Sequence, residues 1–196
     1  MGKREATHQH LLHQGLSLVS EKGFDSVTIG ELSKRAELSK SGVFSHFGSL
    51  QALQLELLQA AKELAAREIV APAMQAPPGL PRLRRLFDRW LGWAARSGLP
   101  GGCPFVAATA AFSEGEGQVH DYLETSIDNL INIFQTCIDD AVAAGQLRKD
   151  IDVKALAWQI FGLYNAHHTM QRLMRDTDAD SVALRGLETL ISNAQR

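Results

Sequence analysis

An all-α fold of about nine helices is predicted by three observations on this 196-residue chain. Apolar residues recur at helical spacing along most of its length, no stretch shows the strict alternation of a half-buried strand, and glycine, proline and cap-forming side chains fall where the periodic stretches meet. A chain this long buries a sizeable core. Leu11, Leu12, Leu16 and Val19 form an apolar stripe from about Arg4 to Glu21, and Lys22-Gly23 closes that first helix, with Gly23 as a left-handed terminator. Phe24 and Val27 then supply apolar plugs for a three-helix core.

The next two helices are short and meet at a tight polar junction; residues 28–47 read TIGELSKRAELSKSGVFSHF. Ile29, Leu32 and Ala36 recur at helical spacing while Glu31, Ser33, Lys34 and Arg35 stay polar, so one face buries and the other meets solvent. Thr28 caps the start, its hydroxyl accepting from the Glu31 N–H while the Glu31 carboxylate reaches back. Ser39 caps the second helix, whose inward positions are Val43 and Phe47. Lys40, Ser41, Gly42, Phe44 and His46 face outward, and small or polar residues there suit a DNA groove, as in a helix-turn-helix. Ser49 caps a fourth helix that runs to near Val70, in which Leu53, Leu57, Leu58 and Ala61 can touch both halves of the protein.

From about residue 4 to 64 the chain resembles the tetracycline-repressor (TetR) family of bacterial regulators, matching in order and spacing its Gly-Phe, Thr-Ile-x-x-Leu-Ser-x-x-Ala, Ser-Lys-Ser-Gly and His-Phe-Gly-Ser elements. The resemblance implies a DNA-binding domain over 1–48 and an effector-binding and dimerisation domain over 49–196. It implies DNA contacts at Thr28, Ser39, Lys40, Ser41, Gly42, Phe44 and His46 on a double-stranded, palindromic operator. Three positions depart from the family's usual pattern: Glu37 stands where Gly is common at the turn, Phe44 where a Tyr meets phosphate, and Leu50 where a Lys opens the next helix. A left-handed turn at Glu37 would carry strain.

Beyond residue 64 the pattern stays helical. Ala71-Pro72 and Ala76-Pro77-Pro78-Gly79 read as a connector, followed by helices over Leu80 to Arg96, Phe105 to Phe112, Gln118 to about Ala144, Val153 to about Met174, and a last one capped by Ser181; Gly145 ends the long one and Asp152 caps the next. Gly102-Cys103-Pro104-Phe105 and Ala144-Gly145-Gln146-Leu147-Arg148 resemble pieces of TetR-type effector domains, and the resemblance implies a ligand cavity and a homodimer formed by the last two helices. Leu156, Ile160, Leu163, Leu187 and Ile191 offer apolar ridges for that interface. Trp90, Trp93, Phe112, Phe134, Trp158, Phe161 and Tyr164 concentrate aromatic bulk in the middle helices. That suits a cavity for an apolar or aromatic small molecule, with Tyr164, Asn165 and His167 as polar anchors; ordinary core packing is the other reading of the same residues.

The remaining patterns exclude more than they assign. Net charge is −2, with six Lys and Arg against five Asp and Glu in residues 1–50 and fourteen against seventeen afterwards. Lys3, Arg4, Lys34, Arg35 and Lys40 can still form one local basic surface, and the weak footprint makes binding depend on dimerisation. His8, His10 and His13 lack a completing carboxylate or thiol, so no metal and no cofactor are expected. Cys103 reads as a packing residue in a Gly-rich loop, and two cysteines without Cys-x-x-Cys spacing fit a cytoplasmic location. Arg82, Arg84, Arg85 and Arg89 read as a solvated helix face. No apolar run is long enough to span a bilayer, and no nucleophile elbow, phosphate loop or His-Glu-x-x-His occurs, so an enzyme is not expected. The function expected is a repressor released from DNA by a small molecule. The alternative is a DNA-bound scaffold whose effector half binds a protein.

Overall fold

The computed structural model describes residues Gly2–Gln195. Among them every regular element is helical, and there are ten helices. They are α1 (Lys3–Lys22), α2 (Ile29–Arg35), α3 (Lys40–Phe47), α4 (Leu50–Ala65), α5 (Leu80–Trp90), α6 (Trp93–Arg96), α7 (Pro104–Phe112), α8 (Gln118–Ala143), α9 (Val153–Arg172) and α10 (Ala179–Gln195), with a 3-10 turn at Phe24–Ser26. The chain divides into two compact units: one runs to Leu64 and resumes over Ala94–Ser126, and the other comprises Ala65–Trp93 and the chain from Ile127 onward.

In the first unit Leu11, Val19, Phe24, Val27, Leu32, Val43, Leu53, Leu57, Leu58 and Ala61 are all nearly inaccessible to solvent. The periodicity expected for α1 to α4 is therefore the one that folds. Thr28 Oγ1 accepts from Glu31 N–H at 3.0 Å, Ser39 Oγ from Gly42 N–H at 3.0 Å, and Ser49 Oγ from Ala52 N–H at 3.0 Å, so each helix start has the cap its sequence calls for. α2 ends through Leu38 N–H donating to the Ser33 carbonyl at 2.9 Å and Glu37 N–H to Lys34 at 3.3 Å, which is a Schellman closure. Glu37 takes the left-handed conformation with φ 55°, the strained geometry that its position in the turn implies.

The Gly98–Gly102 loop also belongs to this unit and closes the C-terminus of α1. Gly102 N–H donates to the Ser20 carbonyl at 2.7 Å and Gly101 N–H to Ser20 Oγ at 3.2 Å, so one of the carbonyls left over at a helix end finds its partner 82 residues away. A Cβ on Gly101 would lie 1.8 Å from the Ser20 oxygen, so the approach is open to glycine alone. Phe112 on α7 packs edge-on against Phe24, ring centroids 5.2 Å apart.

In the second unit three joints differ from the sequence expectation. Ala71-Pro72 is not a connector: α4 continues through a π-helical turn, Ala66–Val70, and a last turn, Ala71–Ala73. Pro72 has no N–H for the Glu68 carbonyl, and the Arg89 guanidinium donates to that oxygen instead at 2.9 Å. The single helix expected over Leu80 to Arg96 breaks at Leu91-Gly92, where Gly92 adopts φ 65° and Leu91 turns extended. α10 starts two residues before Ser181, whose hydroxyl donates back to the Asp178 carbonyl at 2.9 Å.

Other ends behave as read. Asp152 Oδ1 accepts from Ala155 N–H at 2.9 Å, and Gly145 ends α8 with Gln146 N–H on the Ala141 carbonyl at 2.8 Å. The Gln146 side chain in turn accepts from Leu80 N–H at 2.8 Å, capping α5 from a distance. The arginine run is not simply a solvated face. Arg84 makes a two-point contact with Glu188 at 2.7 and 2.8 Å, and Arg82 donates to the Ala76 carbonyl. α9 and α10 pack on each other, and Leu156, Ile160, Leu187 and Ile191 are buried within the chain rather than presented as outward ridges. The exposed large apolar side chains of α9, α10 and the segment joining them are Trp158, Met170, Leu173, Met174, Val182 and Leu184.

Relieving the turn strain gives a direct test. Glu37→Gly should raise stability by about 1 kcal/mol, the typical penalty of a left-handed non-glycine residue. An unchanged urea midpoint would show that Glu37 is not strained.

Candidate nucleic-acid interface and effector-site residues

α3 is built so that two positions hold it and the rest are free. Val43 and Phe47 are buried, whereas Lys40, Ser41 and Phe44 are exposed and Gly42 and His46 half-buried. Phe44 exposes 53% of its surface, a large apolar ring on a helix whose inward side is already filled. A Cβ on Gly42 would meet only the Ser39 hydroxyl, at 3.1 Å. The Lys40 stem lies across the start of α2: a Cβ on Gly30 would be 3.3 Å from Lys40 Cε and 3.9 Å from Thr28 Oγ1. Thr28, Ser39, Lys40, Ser41 and Gly42 therefore gather at the junction of two capped helix starts, while Phe44 and His46 continue along α3.

His46 is braced from behind. Its ring lies 5.6 Å from that of His8 on α1, and the tilted His8 ring lies 5.0 Å from that of Phe47 while its Nε2 meets Glu56 Oε2 of α4 at 2.7 Å. Neither Glu56 nor the bracing role of His8 has a sequence signature, because the three residues come from three helices. Among the described residues His, Cys, Asp and Glu form no group of three able to hold a metal.

The expected basic surface loses one member. Arg35 donates to both Glu21 oxygens, at 3.1 and 2.5 Å, and to Gln14 at 3.3 Å, so its charge serves the packing of α2 on α1. The hydrogen bonds from Arg35 hold the Glu21 carboxyl below the ordinary carboxylate range. Arg4 instead reaches the Ser45 carbonyl of α3 at 3.4 Å.

The aromatic residues separate into distinct settings. Trp90 stacks on Tyr164 with centroids 3.8 Å apart and planes 7° from parallel, and Phe134 and Phe161 stand 5.4 and 5.9 Å from Trp90. Trp93 Nε1 donates to the Tyr164 hydroxyl at 3.2 Å. His167 lies one turn along α9 from this group, with its ring 6.1 Å from that of Tyr164 and its Nε2 2.6 Å from Asp180 Oδ1. Six of the eight residues expected at an effector site, Trp90, Trp93, Phe134, Phe161, Tyr164 and His167, are thus neighbours. Phe112 lies against Phe24 in the first unit, and Trp158 is 59% exposed beneath the Lys154 ammonium. Asp180 had no signal in the sequence, since its meeting with His167 depends on how α10 folds back on α9.

A short capped helix with small and polar residues outward, carried on two supporting helices, defines a helix-turn-helix DNA-binding regulator. Residues 11–57 match the family described as "Bacterial regulatory proteins, tetR family", and residues 79–187, more than half of the chain, match "Tetracyclin repressor-like, C-terminal domain". This chain belongs to the TetR family of transcriptional regulators, which are not enzymes. It is 26% identical over 155 residues, 79% of this chain and 76% of the relative, to the HTH-type transcriptional repressor DhaR of Mycobacterium sp. strain GP1. A TetR regulator of Chloroflexus aurantiacus superposes with a TM-score of 0.88 at 21% identity, over 98% of this chain and 97% of that one. A regulator from Saccharomonospora viridis, solved in complex with choline, superposes at 0.80 and 18% identity over 96% of each chain. Among the described residues no helix is long and apolar enough to cross a membrane.

The sequence has two cysteines, Cys103 and Cys137. Both are buried, and burial pushes the Cys137 thiol up to about 11. Because the thiolate is the reactive form, iodoacetamide at pH 8 should label Cys137 at least ~100-fold more slowly in the native than in the unfolded protein. Rapid native labelling by peptide mass spectrometry would contradict this.

Proposed function

We propose that this protein is a homodimeric repressor that binds a palindromic operator through α3 and leaves it when an apolar or aromatic small molecule occupies the second unit. The observation that carries the DNA half is the outward face of α3, where Ser41, Gly42 and Phe44 stand free over a buried Val43–Phe47 base. Ser39, Lys40 and Thr28 serve phosphates and helix starts, and Ser41, Gly42, Phe44 and His46 serve base edges or groove walls. The effector half is supported by the Trp90–Tyr164 stack with Phe134, Phe161, Trp93 and His167 around it, aromatic bulk with a few polar groups at its edge.

Two copies are needed because one weakly charged reading helix makes few phosphate contacts, while two on one duplex multiply the effect. The exposed Trp158, Met170, Leu173, Met174 and Val182 supply the apolar surface for that pairing. Major grooves on one duplex face repeat at about 34 Å, so a ligand that prefers a dimer with another spacing of its reading helices lowers operator affinity by its differential binding free energy.

Gly42→Leu should abolish operator binding in a gel-shift titration while leaving the thermal midpoint nearly unchanged, because the new side chain meets DNA rather than protein. Retained affinity would remove Gly42 from the interface. For the dimer, Leu173→Asp places a charge on the most exposed apolar side chain of the α9–α10 pair, at 75% exposure. It should turn the dimer into a monomer at micromolar concentration by sedimentation equilibrium. A variant that stays dimeric moves the interface elsewhere.

A further inference from the structure

The effector itself is constrained by one buried atom. His167 exposes only 2% of its side chain. Its Nε2 lies 2.6 Å from Asp180 Oδ1, and the Gln171 amide donates to that same oxygen at 3.4 Å. Asp180 sits in the first turn of α10. With the carboxylate oxygen as acceptor, Nε2 is the donor of this contact. The other ring nitrogen, Nδ1, is fully buried and has no hydrogen-bond partner.

With Nε2 donating to Asp180, a neutral ring carries its lone pair at Nδ1. A doubly protonated ring would point a second N–H into an interior with nothing to receive it, whereas a neutral ring leaves a lone pair at Nδ1. An unpartnered buried acceptor still costs free energy, and it is the kind of group that a bound molecule satisfies. The nearby aromatic polar atoms are already engaged with each other: Trp93 Nε1 donates to the Tyr164 hydroxyl at 3.2 Å, and the Tyr164 ring is covered by Trp90.

We propose that His167 is the orienting acceptor of the effector site, and that the effector is an apolar or aromatic molecule bearing a neutral hydroxyl or N–H group that donates to His167 Nδ1. This rests on the reading of the second unit as an effector-binding unit and narrows its ligand class. Asp180 acts as a positioning residue that holds the ring in the accepting tautomer. A molecule offering only acceptors at that place, such as an ether, leaves Nδ1 facing another lone pair and is discriminated against.

The test uses the full-length protein with 15N-labelled histidine and a panel of benzyl alcohol, 2-phenylethanol and 3-phenylpropanol, each paired with its methyl ether. Without ligand, the His167 15N shifts should report a protonated Nε2 and a bare Nδ1; an imidazolium or the opposite tautomer overturns the proposal. Alcohols should bind at least about tenfold more tightly than their ethers and move the Nδ1 resonance. His167→Leu should equalise each pair, and His167→Gln, which keeps an acceptor, should restore part of the preference. If His167→Leu does not fold, the wild-type Nδ1 shift and the His167→Gln preference decide. Equal binding of alcohols and ethers with a static Nδ1 resonance overturns the donor requirement and leaves the effector reading standing. No binding across the panel, with operator binding intact, overturns both.

Discussion

Every helix end leaves backbone groups that must find partners, and with ten helices among the described residues, several of them two or three turns long, that obligation shapes the structure more than any other. Local side chains meet it at Thr28, Ser39, Ser49 and Asp152. Distant groups meet it elsewhere: Gly102 closes on Ser20, Gln146 caps Leu80, and Arg89 takes the Glu68 carbonyl that Pro72 cannot serve. These three long-range closures fix how segments far apart in sequence lie within each unit. They also explain why Gly101 has no tolerable substitute, since any Cβ there would occupy the position of the Ser20 oxygen.

Charge is used within the units as well as on their surfaces. Arg35 is bound by Glu21, Arg84 by Glu188, and Arg89 by Glu68. Exposed pairs of this kind contribute little to stability individually. Their effect is geometric: they orient one helix on the next and remove cations from the pool available to phosphates. With a net charge of −2 few cations are left over, and α3, anchored by the buried Val43 and Phe47, leaves Lys40, Ser41, Phe44 and Ser45 exposed and Gly42 and His46 half-buried over its eight residues.

The second unit combines close aromatic packing with one incompletely satisfied polar group. Trp90, Phe134 and Tyr164 are almost wholly buried and in contact. His167 beside them meets Asp180 through Nε2 and has no hydrogen-bond partner at Nδ1. The rings stabilise this interior by burial, whereas a buried polar atom stabilises it only where a partner is supplied.

The helices, most of their caps and the family were legible in the sequence because they depend on neighbours within four residues: periodic Leu and Val for the buried faces, Thr28 and Ser39 for the helix starts, Glu37 for a turn that needs a left-handed residue. The break at Leu91-Gly92 and the helical Pro72 were misread because a glycine within a periodic stretch and a proline after one are ambiguous until their orphaned backbone groups are seen to find partners. Contacts between helices had no local signal at all. The His8–Glu56 brace behind His46, the pairing of His167 with Asp180, the burial of Leu156 and Ile191 within the chain, and the packing of Phe112 on Phe24 all depend on which helix faces meet, which packing decides and spacing along one helix does not.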